Sequence, residues 1–209
     1  MSSTRSSFSQ VTTANDGSGR IALIGLFVVL ALILGAIKLI AQESSTGPRA
    51  AIRPFVGAYV PTGDQRDFVK DAVLVGAQAS WTVNPNWALT GSFGWAPSKD
   101  KVTAGDQTLD QFQYDVGVEA RSAMLSTQKL SPFIGAGIGG RTYNYRDLNV
   151  DSKSNFDGYG AIGTDANLGI LSLRVEARDY VSRFQPLTGG GDTKTRNDLT
   201  FAAGLGVKF

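Results

Sequence analysis

The sequence predicts an all-β fold, an eight-stranded antiparallel up-and-down transmembrane β-barrel that follows a hydrophobic N-terminal helix. Three observations lead to this fold class. An uninterrupted apolar run lies near the N-terminus, and eight later segments alternate apolar with polar or small residues. A period of two is the pattern of a strand with two unlike faces. The connections between these segments alternate between short and long, which is typical of barrels that span a bilayer.

The first element is the apolar run itself. Residues 21–37 read IALIGLFVVLALILGAI, after a polar lead rich in Ser, Thr and Gly. The run is longer than the core of an ordinary signal peptide and slightly shorter than a membrane-spanning helix. The linker that follows, residues 42–51, extends at most about 35 Å, too short to tether an inner-membrane anchor to a distant barrel. We therefore predict that residues 1–41 form an export segment that is removed.

Eight strands are predicted in residues 52–209, which we assign to the barrel. They lie near residues 52–61, 72–83, 86–96, 111–124, 131–145, 156–166, 170–184 and 197–209. Each has about the 9 to 11 residues that a tilted strand needs to cross a bilayer. The last segment, LTFAAGLGVKF, shows the period most clearly, because large apolar residues occupy mainly its odd-numbered positions.

The connections alternate in length along the chain. VNPN, LSTQKL and ANLG are short, whereas PTGDQRDFVKDA, APSKDKVTAGDQTLD, RDLNVDSKSN and QPLTGGGDTKTRN are long and polar. Short periplasmic turns and long extracellular loops characterise an up-and-down barrel with an even number of strands.

A period of two does not reveal which face is outside, and a soluble lipocalin-like barrel shows the same pattern. Charges within the strands lie opposite the apolar set, at Glu119, Arg121, Arg141, Arg174, Glu176 and Arg178. If the apolar faces contact lipid, these six side chains fill the lumen and must pair with one another. Aromatic residues near the strand ends favour that orientation because they form belts at the headgroup levels. They are Trp81, Trp87, Phe133 and Phe209 near the short turns, and Tyr59, Trp95, Tyr145, Phe156, Tyr180 and Phe184 toward the long loops.

Composition excludes several classes of function. The chain has no Cys and no His, so we expect no disulfide, no metal site, no cofactor and no enzymatic activity that depends on imidazole. The 20 basic and 18 acidic residues are scattered, so we expect no nucleic-acid partner. Asp147, Asn149 and Asp151 have the spacing of the first ligands of an EF-hand loop, but the Gly and Glu of that loop are missing.

The stretch FIGAGIGG, residues 133–140, matches the GxGxxG spacing of a dinucleotide-binding turn. Such a turn requires a helix after the glycines, whereas RTYNYRD follows here and is strand-like. At a period of two, Gly135, Gly137 and Gly139 share one face with Arg141. We interpret these glycines as positions that leave room in the lumen for long side chains from other strands.

Residues 50–209 resemble the OmpA-like family of small eight-stranded outer-membrane β-barrel proteins. The most specific part is the C-terminal strand, in which Phe201, Leu205, Val207 and Phe209 are in step and the last residue is aromatic. PFIGAGIGGRTY and LRVEARDY also look like glycine-rich and charged strands of the family. The resemblance implies a Gram-negative outer membrane and recognition of the last strand by the barrel-assembly machinery. The long N-terminal lead departs from the family, and so does the lack of a peptidoglycan-binding domain after the barrel.

From these observations we expect an exported, monomeric barrel in contact with outer-membrane lipid. Its role would be structural or one of surface interaction, with an extracellular partner at the long loops and a lumen plugged by side chains. Two alternatives stay open, a narrow channel or small-solute transporter and a soluble ligand-binding barrel.

Overall fold

A computed structural model describes residues 49–209 except 102–106, 123–124, 126, 128, 147–151 and 185–193. The predicted export segment and the EF-hand-like pattern lie outside the described residues. Eight strands form a closed barrel in which each strand pairs antiparallel with its neighbours in sequence and the last returns to the first. The predicted barrel is therefore confirmed. None of the helical segments in the described ranges is long and apolar enough to cross a membrane.

The strands match the predicted segments to within a few residues. They are β1 (Ala50–Pro61), β2 (Ala72–Asn84), β3 (Trp87–Lys99), β4 (Thr108–Arg121), β5 (Leu130–Tyr145), β6 (Lys153–Leu168), β7 (Leu171–Phe184) and β8 (Lys194–Lys208). Their lengths of 12 to 16 residues exceed the span of about 9 to 11 residues that a bilayer requires. The longer strands therefore extend beyond the hydrocarbon layer.

The short turns form through local hydrogen bonds. Between β2 and β3, the Asn84 side-chain oxygen accepts hydrogen bonds from the backbone N–H groups of Asn86 at 2.9 Å and Trp87 at 3.0 Å. Between β6 and β7, Gly169 has a φ of 73°, a conformation that is open to glycine but strained for most other residues. These turns hold successive strands in antiparallel pairs.

The strand register sets the width of the lumen. When paired residues are followed around the sheet from Ala51, the path passes through Tyr159 and returns to β1 at Pro61, ten residues further along. In an eight-stranded barrel such a stagger corresponds to strands tilted by about 40° around an interior that side chains can fill.

Solvent exposure shows which face is outside. Every strand exposes large apolar side chains, for example Val116 at 62%, Ile134 at 63% and Ile162 at 64%. Most of the buried side chains of the strands are polar or charged instead, including Arg141 at 0% and Asp157 at 1%. This distribution is the reverse of a soluble barrel and fits an outer surface in contact with lipid.

The predicted aromatic belts are partly wrong. Trp81 and Trp87 at the short-turn end and Phe156 at the long-loop end are exposed as predicted. Four other predicted belt residues point into the lumen and are buried: Tyr59, Phe133, Tyr145 and Tyr180. Each of them lies an even number of residues from a buried charge on its own strand, and therefore on the inward face. Nearness to a strand end does not indicate which face an aromatic residue occupies.

Candidate functional site

The lumen holds a network of charged side chains, which is the candidate functional site. The structure places all six predicted network residues on the inward faces of β4, β5 and β7, and only Arg121 is partly exposed, at the periplasmic end. Sequence reasoning missed further buried charges of the same network: Arg53, Asp115, Asp157, Asp165, Arg196 and Asp198. The alternation could have found them, because Asp115, for example, is in step with Glu119 on β4.

Arg174 is the centre of the periplasmic half of the network. Its guanidinium lies 2.7 Å from Glu119 and 3.0 Å from Asp165, and it donates a hydrogen bond to Gln78 at 2.6 Å. The guanidinium also lies over the Phe133 ring, 4.0 Å from the ring centroid. Carboxylates at its edges and a ring at its face satisfy both the charge and the planar shape of this side chain.

Two more arginines share the carboxylates of Arg174. Arg121 Nη2 lies 3.3 Å from Glu119 and 3.2 Å from Asp165. Arg53 Nη2 lies 3.8 Å from Asp165, and other nitrogens of Arg53 donate hydrogen bonds to Ser80 and Ser172. Arg174 also lies 3.9 Å from Glu176, which is closer to Arg178 at 2.8 Å. The three arginines of the periplasmic half therefore share Glu119 and Asp165 and have only a distant contact with a third carboxylate.

Arg178 forms the middle level of the network. Its Nε lies 2.8 Å from Glu176 and its Nη1 lies 2.8 Å from Asp115. Tyr180 donates a hydrogen bond to the same Asp115 at 3.0 Å, and the guanidinium stacks on the Tyr159 ring. Two carboxylates, the Tyr159 ring and the Tyr180 hydroxyl, which accepts a hydrogen bond from Arg178 at 3.1 Å, thus hold this guanidinium in one position.

Arg141 forms the level nearest the extracellular side. Its Nε lies 3.1 Å from Asp157, and its Nη1 pairs with Asp198. The guanidinium lies 4.2 Å from the centroid of the Tyr180 ring. All three levels therefore use the same elements, a guanidinium held by carboxylates and covered by an aromatic ring.

The glycines of FIGAGIGG make room for these side chains. A Cβ atom on Gly137 would lie 2.5 Å from the Tyr159 ring and would also overlap the Val116 carbonyl oxygen. On Gly139 a Cβ atom would lie 3.0 Å from the Asp157 carboxylate, the partner of Arg141. The interpretation of these glycines as lumen space is confirmed, and much of the space is occupied by Tyr159.

The first long connection covers part of the extracellular mouth. This connection forms a short 3-10 helix, Gly63–Asp67, whose Gln65 is fully buried and donates hydrogen bonds to the Tyr59 and Tyr143 hydroxyls. Val69 then forms an isolated bridge with Asp100. Beneath it lies an apolar cluster of Tyr59, Val69, Leu74, Ala96, Leu109, Tyr143 and Tyr145. The sequence predicted only a polar loop here, although the adjacent Phe68 and Val69 in DFVKD were a signal that part of it is buried.

Two small cavities lie beside the network. A cavity lined by Arg53, Phe55, Gln78 and Arg174 among others leaves about 10 Å³ for the centre of a water molecule, room for about one water. A second cavity at the periplasmic end leaves about 30 Å³. Within the described ranges, no three acidic side chains are placed to hold a metal ion.

Comparison with known proteins identifies relatives of this barrel. Residues 27–209 match the family model of the outer membrane protein β-barrel domain. The crystal structure of Neisserial surface protein A is similar, with a TM-score of 0.59 and 13% identity over 80% of this chain and 100% of that one. The N-terminal β-barrel domain of Pseudomonas aeruginosa OprF has a TM-score of 0.50 and 11% identity over 78% of this chain and 100% of that one. OprG from the same organism also reaches 0.50, with 15% identity over 78% and 97%. No curated protein matches the chain in sequence.

Proposed function

The chain belongs to the family of the outer membrane protein β-barrel domain, and from that premise we propose that it is a monomeric barrel with a closed lumen and a structural or surface-interaction role. One observation carries this proposal. The ion pairs cross the lumen, since Arg174 of β7 meets Glu119 of β4 and Arg141 of β5 meets Asp198 of β8. In each pair the two strands are three apart around the barrel.

Pairs that cross the lumen obstruct the passage of solutes. Breaking a buried ion pair by removing one partner typically costs about 3 to 5 kcal/mol, and a solute that enters would have to displace several pairs. The covering of the mouth by Gln65 and Val69 adds a second obstruction. A wide, water-filled pore is therefore not favoured.

A non-catalytic role is supported by how the lumen carboxylates are used. Glu119 and Asp165 each contact the two guanidinium groups of Arg174 and Arg121, so they are engaged as charge partners. A general base needs a free lone pair within reach of a substrate proton. These contacts favour a barrel that interacts through its surface, and they do not favour an enzyme.

The monomeric state is supported by closure of the sheet. Because β8 pairs with β1, no strand edge of the barrel is left to pair with another copy. Chemical cross-linking in outer-membrane vesicles is expected to show a single chain, and a dominant dimer would contradict this part of the proposal. Removal of residues 1–41 on export stays a prediction, which N-terminal sequencing of the mature protein tests.

Planar-bilayer recordings test the closed lumen. We expect no conductance at the level of a general porin from the full chain. The double variant E119A/R174A removes both partners of a cross-lumen pair and should increase conductance. R66A is the control, because Arg66 pairs with Asp71 on the exposed surface at 3.8 Å. Porin-level conductance of the unmodified protein would refute the closed lumen, whereas small discrete events would favour the narrow channel.

A further inference from the structure

We propose that the periplasmic mouth of the barrel binds a small oxyanion of the phosphate class. The site is the cavity at this end, which we call the periplasmic vestibule. Its lining contains four basic residues, one acidic residue and three hydroxyl residues: Arg49, Arg53, Arg121 and Lys208; Asp165; and Ser80, Thr82 and Ser172. They come from the periplasmic ends of several strands and meet only because the barrel closes. This inference goes beyond the structural role proposed above.

Several arginines crowd around the few carboxylates beside the vestibule. Asp165 is approached by Arg174 at 3.0 Å, Arg121 at 3.2 Å and Arg53 at 3.8 Å. Glu119 is the other carboxylate here, and it is shared by Arg174 and Arg121. A third carboxylate, Glu176, lies 3.9 Å from Arg174 but only 2.8 Å from Arg178. The three guanidinium groups therefore share two carboxylates closely, and the third is engaged mainly by Arg178. Buried cations are stable when they are paired, so a bound anion would complete this set.

Lys208 adds a further positive charge. Its Nζ donates a hydrogen bond to the amide oxygen of Asn167 at 3.0 Å, and a neutral amide does not balance an ammonium charge. The exposed Arg49 lines the same cavity. The vestibule thus presents an excess of positive charge toward the periplasm, which attracts small anions.

Two arginines of the vestibule have unused hydrogen-bonding capacity. Arg53 is only 3% exposed, yet its nearest carboxylate oxygen lies 3.8 Å away, well beyond the length of about 2.8 Å for a charge-assisted hydrogen bond. Its other contacts are to the hydroxyl groups of Ser80 and Ser172. Arg121 Nε is buried without a hydrogen-bond partner among the described residues. Guanidinium groups match the geometry of tetrahedral oxyanions.

The size of the vestibule also fits a small oxyanion. The vestibule leaves about 30 Å³ for the centre of a water-sized sphere, a few times what one water needs. That space suits a tetrahedral oxyanion and is too small to enclose a nucleotide or a sugar. Above the site, Arg174 and Glu119 are 2.7 Å apart and block the lumen. The oxyanion would therefore bind and leave from the periplasmic side.

The test is phosphate binding by the full chain, folded in a zwitterionic detergent. Inorganic phosphate is titrated at constant ionic strength, with chloride as the replaced anion, and binding is followed by phosphorus NMR. We expect saturable binding at one site. K208Q should weaken it about fivefold to tenfold, the loss expected when one nearby, partly screened charge is removed. K99Q is the matched control, because Lys99 is exposed at the extracellular end of β3, far from the vestibule. The affinity of K99Q for phosphate should equal that of the unmodified protein.

Two results would overturn the proposal. One is the absence of saturation, and the other is equal affinity of K208Q and K99Q. Heat-modifiable migration on gels establishes that each variant is folded. R121Q removes a second charge of the vestibule and should also bind phosphate more weakly than K99Q. Phosphate binding and conductance are separate measurements. Porin-level conductance would refute the proposed closed lumen, whereas the phosphate titration alone decides the proposed oxyanion site.

Discussion

Gly137→Ala tests whether the lumen is packed as tightly as the structure shows. The new Cβ atom would lie 2.5 Å from Cε1 of Tyr159 and would overlap the carbonyl oxygen of Val116. Ordinary contacts of a Cβ atom begin at 3.4 Å, so both the Tyr159 ring and the β4 backbone at Val116 would have to move by about 1 Å. The ring has little freedom to do so, because it lies against Arg178 on one side and Tyr180 on the other.

The size of the effect follows from two opposing contributions. Overpacking of this kind costs about 1 to 3 kcal/mol. Replacing glycine with alanine also restricts the unfolded chain, which stabilises the fold by about 0.4 to 1 kcal/mol. Gly160→Ala is the matched control, since Gly160 lies on the neighbouring β6 and a Cβ atom there would meet nothing within 4 Å. The unfolded-state contribution is common to both variants, so their free energies of unfolding should differ by about 1 to 3 kcal/mol.

Urea-induced unfolding in phospholipid vesicles, followed by tryptophan fluorescence, provides the free energies. G137A should unfold at lower urea than the unmodified protein, and G160A at equal or higher urea. If G137A is as stable as G160A, then the lumen at this level is looser than described and the explanation of the FIGAGIGG glycines is wrong.

Two further predictions concern the outer surface. Asp179 is an exposed residue on the outward face of β7, between Ala177 and Val181, and its carboxylate accepts a long hydrogen bond from Asn197 at 3.5 Å. A carboxylate on a face that contacts lipid is unfavourable. Asp179→Leu should therefore stabilise the barrel by about 1 to 2 kcal/mol in vesicles, and a lower urea midpoint would count against a lipid-facing position. Phe209→Ala should reduce the fraction of heat-modifiable protein in outer-membrane fractions if the C-terminal strand is the assembly signal. Phe156→Ala removes an exposed aromatic ring at the other end and should leave that fraction unchanged, so equal losses would contradict a special role of Phe209.

The strands and the chemistry of their faces could be predicted from the sequence. Glu119 on β4 and Arg174 on β7 both lie opposite the apolar residues of their strands, and both are buried in the lumen. Alternation is a local property of an extended backbone, so it is visible without knowledge of the rest of the fold. The same alternation correctly assigned Gly137 to the lumen.

Some features were assigned wrongly or missed although the local pattern contains them, and one depends on residues far apart in the chain. Tyr59 and Tyr180 were predicted at a lipid-facing belt, yet they lie in the lumen because their alternation places them there. Asp165 was missed although it pairs with Arg174, and it lies in step with Asp157 and Tyr159 on the inward face of β6. The covering of the mouth by Gln65 depends on a hydroxyl contributed by Tyr143, 78 residues away.

The sequence by itself determined the number of strands, their approximate bounds and the opposition of apolar and charged faces, because these depend on the two-residue period of each strand alone. The tertiary structure decided which face is outside and which charges meet. Arg174 reaches Glu119 across the lumen because the stagger from Ala51 to Pro61 brings these positions on β7 and β4 to similar heights. That stagger is the sum of eight strand pairings, and a contact that depends on all of them is encoded in no single strand.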